Sequence, residues 1–131
     1  MTFRTIILAG AAAASVACVV SATPAWAVSD RHCNTTSDGL NSVCVAFDPA
    51  PQDGALVSGL VTGTASNISQ NVYQCHIGGY GCVLYISGTG PQTTSKLASA
   101  GHDYRDCASF VNQYGGQIGQ FCSPFVTVPL N

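Results

Sequence analysis

The sequence predicts a small α+β domain: an antiparallel β-sheet, stapled by disulfides, with one helix packed on its face. Three observations predict it. Six cysteines, Cys33, Cys44, Cys75, Cys82, Cys107 and Cys122, fall in the segment 28–131, an even set in a chain too short to bury a large core. Two runs of alternating character, 71–77 and 82–87, flank Gly78-Gly79-Tyr80-Gly81, the pattern of a hairpin and its turn. Leu97, Tyr104 and Val111 then recur at a spacing of seven, with Ala100, Cys107, Ala108 and Phe110 beside them. That is a helical stripe, and Gly115-Gly116 ends it. An all-β sandwich is the alternative.

The chain opens with a segment that reads as an export signal. Arg4 precedes a long apolar run from Ile6 to Val20, and Ser21, Thr23 and Pro24 break it before Ala25-Trp26-Ala27. Small residues at the third and first positions before a cut suit a signal peptidase, so cleavage is expected after Ala27. The run is shorter than the roughly 20 apolar residues of a membrane span. A lipid anchor on Cys18 lacks the bulky residue usual where Ser15 stands. The alanine-rich leader has a bacterial character, so Asn34-Thr35-Thr36 and Asn67-Ile68-Ser69 are taken as chance matches to the glycan acceptor pattern.

Past the leader, 28–131 forms one domain, as its length dictates. The arm 28–42 is polar and without period, and is expected to be loose except at Cys33. Val43, Val45 and Phe47 alternate as a short strand, and Asp48-Pro49-Ala50-Pro51 opens a loop. The run 56–65 is a strand with Val57 and Val61 on it and Gly59 and Gly63 leaving gaps. It holds no charge and no proline, so nothing in it blunts an open edge. The hairpin comes next, clamped by a Cys75–Cys82 bridge. The stripe 94–114 is the helix, or two short helices if Gly101 divides it with Asp103 capping the second. The tail 121–128 is a last strand. Neighbour pairing is expected for the cysteines: Cys33 with Cys44, Cys75 with Cys82, and Cys107 with Cys122.

Charge narrows the partners. Beyond the leader, Arg31, Lys96 and Arg105 stand against six aspartates and no glutamate, a net charge of −3. Nucleic acid and anionic membranes both draw on Lys and Arg contacts, so neither is an expected partner. No Cys-x-x-Cys pair occurs, and the spacings match no zinc finger or ribbon. No cofactor or metal is expected.

One motif carries a possible chemistry. Gly101-His102-Asp103-Tyr104-Arg105 places a His-Asp pair on the predicted helix, and Tyr80-Gly81-Cys82 and Gly88-Thr89-Gly90 lie upstream. This resembles the secreted phospholipases A2 over some 25 residues, counted from the short motifs themselves. The resemblance implies His102 as general base on a water and Asp103 as a calcium ligand. Two features depart from that family. Val83-Leu84-Tyr85-Ile86 interrupts the glycine-rich loop, and no acidic residue follows Asp106 to orient the histidine. The plainer expectation is an exposed His102 and a capping Asp103. No Gly-x-Ser-x-Gly elbow occurs, and His32 and His76 have no sequence neighbours that mark a triad.

The function expected is therefore a secreted, non-enzymatic protein-binding module: an inhibitor, adaptor or subunit of an extracellular assembly, its partner another extracellular protein. Two surfaces are expected to bind. One is the hairpin tip at Gly79, Tyr80 and Gly81. The other is the open edge of 56–65, where an added strand would meet Val57 and Val61. Tyr73 and Tyr104 are expected in the core and Tyr80 in solvent. The alternatives are a small calcium-dependent phospholipase A2-like hydrolase, and a secreted toxin or cell-surface structural protein.

Overall fold

A computed structural model describes residues 30–130; the leader 1–27 and Cys18 lie outside the described residues. Among the described residues nine strands follow one another: β1 (Asp30–Thr35), β2 (Asn41–Pro49), β3 (Ala55–Gly63), β4 (Ser66–His76), β5 (Tyr80–Thr89), β6 (Lys96–Leu97), β7 (His102–Val111), β8 (Gln117–Cys122) and β9 (Val126–Val128). They form two antiparallel sheets. One has the order β1-β2-β3-β6; in the other, β5-β4-β7 run side by side and β8 and β9 share the far edge of β7.

The α+β expectation is therefore corrected. Among the described residues there is no α-helix, and the segment read as a helix is β6, a turn and the ten-residue β7. The seven-residue spacing misled because it was read across two elements, Leu97 in β6 and Tyr104 and Val111 in β7. Leu97 lies in the two-residue β6 and is 58% exposed, whereas Tyr104 is fully buried in β7. Gly101, at φ 77°, turns the chain between them. Within β7 the true period is two: Tyr104, Asp106, Ala108 and Phe110 share the face toward the other sheet. The alternation is masked because Asp103 and Cys107, on the opposite face, are buried as well. The arm is corrected too. Asp30–Thr35 pairs along its whole length with β2, in register from Asp30 with Phe47 to Thr35 with Ser42.

The two sheets pack face to face, and their facing residues stack in layers two residues apart. Val45, Phe47, Ala55 and Val57 meet Val72, Ile86, Tyr104 and Val128 in one apolar cluster. Val43 and Val61 meet Ile68, Ala108 and Phe110 in another. Each valine, isoleucine or phenylalanine among them contributes roughly 1.5–3 kcal/mol when fully buried. Between the clusters lies a polar layer. On β3 it is Gly59, between Val57 and Val61; on β4 it is Gln70, between Val72 and Ile68; on β7 it is Asp106, between Tyr104 and Ala108.

Three disulfides join Cys33 to Cys44, Cys75 to Cys82, and Cys107 to Cys122, the neighbour pairing expected from the sequence. Each ties adjacent strands. Cys33 and Cys44 are opposite each other in the β1–β2 register, and Cys107 and Cys122 in the β7–β8 register. Asn41 secures the passage from one sheet to the other: its side-chain oxygen accepts the Ala65 N–H at 2.8 Å, where β3 gives way to β4.

Candidate functional site

The β4–β5 hairpin ends in a tip that its neighbours hold from several sides. His76 pairs with Tyr80 across the turn, and Gly78 and Gly79 take φ values of 106° and 79°, which favour glycine. The Cys75–Cys82 bridge closes the loop at its base. Asp103, on β7, accepts the Gly78 N–H at 3.0 Å and the Thr127 hydroxyl with its other oxygen. A single carboxylate thereby ties the turn, β7 and β9 together. Phe125 packs against Gly79 so closely that a Cβ there would lie 3.2 Å from its ring. The Arg105 guanidinium sits 4.3 Å from the centre of that ring, a cation–π contact that fixes the phenyl in place.

What this frame presents is apolar. Tyr80 is 66% exposed and Ile77 52%, and Phe125 lies beside them at 39%. The Tyr80 ring tilts against His76, their centres 5.1 Å apart. Gly81, at φ 62°, leaves room for that imidazole, since a Cβ would strike its ring carbons. The three expected tip residues, Gly79, Tyr80 and Gly81, are thus brought together at one end of the molecule. Ile77, Phe125 and Arg105 complete the surface. Phe125 comes from a distant segment, and no local pattern in the sequence links it to the tip.

The second expected surface does not form. Val57 and Val61 point into the core, 0% and 3% exposed. The free side of β3 is occupied by the segment that follows β5: Val61 N–H donates to the Pro91 carbonyl, Thr93 N–H to Gly59, and Ala98 N–H to Ala55. Strand addition at 56–65 is excluded by these bonds.

The His-Asp pair is also corrected. His102 and Asp103 are consecutive residues of a strand, so their side chains leave on opposite faces. Asp103 is 4% exposed with both oxygens engaged as described, and the His102 Nδ1 lies 3.2 Å from the Ala100 carbonyl oxygen. The helix that would hold both toward one substrate and one calcium ion is replaced by β7. Among the described residues, no group of three or more His, Cys, Asp or Glu side chains is placed to hold a metal ion. Of the tyrosines, Tyr104 is in the core as expected, Tyr80 is exposed as expected, and Tyr73 is half-buried.

One buried group was not anticipated. Asp106 is fully buried in the polar layer, and neither of its carboxyl oxygens has a hydrogen-bond partner. Desolvation disfavours the charged form and pushes the carboxyl up to about 8. Its backbone is well held: Asp106 N–H donates to the Ser123 hydroxyl and its carbonyl accepts the Ser123 N–H. Comparison of the chain with family models, curated proteins and solved structures gave no match.

Proposed function

We propose that this chain is a secreted, non-enzymatic module that binds another extracellular protein through the tip of its β4–β5 hairpin. In this reading the leader 1–27 is removed after export from a bacterial cell. The observation that carries the proposal is the clamped tip itself: Ile77 and Tyr80 are more than half exposed on a turn fixed by a disulfide, a buried carboxylate and an aromatic ring. A rigid surface loses little entropy on association, and an exposed tyrosine supplies a large amphipathic contact. The three disulfides support an oxidising compartment. Asp103 and Arg105, the charged residues nearest the tip, are engaged in holding it.

The test is recovery of tagged protein from the producer's culture fluid, for the native sequence and for Ile77→Ser with Tyr80→Ser. A stoichiometric companion is expected with the native chain and should be lost with the double variant, while the thermal unfolding midpoint is unchanged. A companion retained by the double variant refutes the tip as the binding surface. Mass spectrometry of the same material should find a chain beginning at Val28.

A further inference from the structure

Beyond the leader the chain has three cations, Arg31, Lys96 and Arg105, and their surroundings differ. Arg31 is exposed on the edge strand β1, open to water. The Lys96 Nζ lies 3.4 Å from the Tyr85 carbonyl oxygen and 4.1 Å from the centre of the Tyr85 ring. Arg105 is half-buried, and its Nε is buried with no hydrogen-bond partner. The ion pair found among the described residues is His32 with Asp30, so Arg105 has none there. Asp103 shares its face of β7, but both Asp103 oxygens are given to the Gly78 N–H and the Thr127 hydroxyl. The Phe125 ring, 4.3 Å from the guanidinium, attracts its charge and accepts none of its N–H groups in the manner of an oxygen.

The surface around this cation is aromatic and apolar. Tyr73 stands opposite Arg105 in the β4–β7 register, which is unbroken from Ser69 to His76. Phe125, on the other side, is the ring that packs on Gly79 of the tip, and Ile77 and Tyr80 are exposed there. Arg105 is thus a charge with donors to spare, set beside the residues that carry the binding proposal.

We propose that Arg105 receives a carboxylate from the protein partner, an aspartate or glutamate side chain flanked by apolar residues that cover Ile77, Tyr80 and Phe125. The inference rests on the tip reading and names the chemistry its partner brings. A planar guanidinium placed by an aromatic ring is oriented for a two-pronged bond to a carboxylate. An acceptor from the partner also satisfies donors that the folded chain leaves free, one of which is already shut off from water. Charge favours the same occupant. With three cations against six aspartates, the surface repels an acidic group except where a cation stands, so Arg105 fixes how the partner is aligned. One cation matches the single charge of a carboxylate, whereas a phosphate group brings nearly two.

The experiment has two arms. In the first, the native, disulfide-intact chain is titrated with sodium acetate, and with sodium chloride at equal ionic strength, while the Arg105 Nε–H signal is followed by NMR. Acetate should shift it saturably, with its midpoint below about 100 mM, and chloride should not. The second arm measures binding of the companion recovered with the native chain. Arg105→Gln should bind it about tenfold more weakly or worse, and Arg105→Lys, which keeps the charge without the fork, should fall between. A signal that acetate moves no further than chloride overturns the proposal, as does a companion held equally by Arg105→Gln. If Arg105→Gln does not fold, native binding by Arg105→Lys overturns it instead. The two readings fail separately. A companion lost with Ile77→Ser and Tyr80→Ser but kept by Arg105→Gln refutes the carboxylate alone; absence of any companion refutes the tip reading, and the acetate arm then decides for Arg105.

Discussion

The Asp106 carboxyl occupies the space that a side chain on Gly59 would need: a Cβ on Gly59 would lie 2.5 Å from its Oδ1. The two residues belong to different sheets and face each other in the polar layer between the apolar clusters. Glycine on β3 thus makes room for an acid on β7 that has no hydrogen-bond partner. Such an arrangement costs stability, and the cost depends on whether the acid is charged.

Asp106 should make the fold less stable as pH rises. In the folded chain its carboxyl titrates at about 8, against a reference of 3.8. Below pH 4 both states hold the proton and the group contributes no pH dependence. Between pH 4 and 8 the unfolded chain releases a proton that the folded chain keeps, so stability falls by about 1.4 kcal/mol per pH unit. Above pH 8 both states are ionised and the loss levels off. Asp106→Asn removes the titration while keeping the shape. Urea midpoints measured from pH 4 to 8 should fall for the native chain relative to the variant. Parallel pH profiles would show that Asp106 titrates normally.

Gly59→Ala should destabilise the chain by about 1–3 kcal/mol, the usual penalty for overfilling a packed interior. The three atoms nearest to that Cβ all belong to the Asp106 carboxyl. In an Asp106→Ala background the same methyl enters empty space, and Gly59→Ala should become neutral or stabilising through the lower entropy of the unfolded chain. Chemical denaturation of the four proteins measures the coupling, expected at about 1 kcal/mol or more. Additive effects would mean that the two side chains do not meet.

The hairpin and its bridges were legible in the sequence because their signals are local. Alternation on both sides of Gly78-Gly79-Tyr80-Gly81 specifies a turn, and cysteines on neighbouring strands can pair directly. β7 was not legible. A core-facing aspartate broke its apolar alternation, and burial of Asp103 and Cys107 on the other face erased the rest. Val57 was placed correctly on a strand but assigned to an open edge, because the cover at 91–98 has no period of its own and reaches β3 through backbone hydrogen bonds and the Thr93 hydroxyl. The tip was half legible: Tyr80 follows from the turn, whereas Phe125 arrives through tertiary folding.

The bridges should differ in what they support. Cys107 and Cys122 are separated by 15 residues and Cys75 and Cys82 by 7. Loop-closure entropy then assigns about 3 kcal/mol to the first and about 2.5 kcal/mol to the second. Replacing the Cys107–Cys122 pair with serines should lower the unfolding midpoint at least as far as replacing the Cys75–Cys82 pair. The second change alone should also loosen the tip and weaken its hold on a companion. Equal binding by both variants, measured at a temperature where both are folded, would separate the tip from its clamp.

Asp103 should behave as a structural residue and His102 as a nearly silent one. Asp103→Ala leaves the Gly78 N–H and the Thr127 hydroxyl without their acceptor, and each of these part-buried hydrogen bonds contributes about 0.5–1.5 kcal/mol. The loss is local before it is global, so amide exchange at Gly78 and Gly79 should accelerate more than exchange in β2 or β3. Asp103→Asn keeps one acceptor oxygen and should fall between the native chain and Asp103→Ala. His102→Ala removes a half-buried ring whose near neighbour is the Ala100 carbonyl, and its effect should stay within about 0.5 kcal/mol. A His–Asp pair acting together would give the opposite pattern, with little change in stability from either residue and a shared loss of some activity. Exchange at the tip and the unfolding midpoints of the three variants distinguish the two cases.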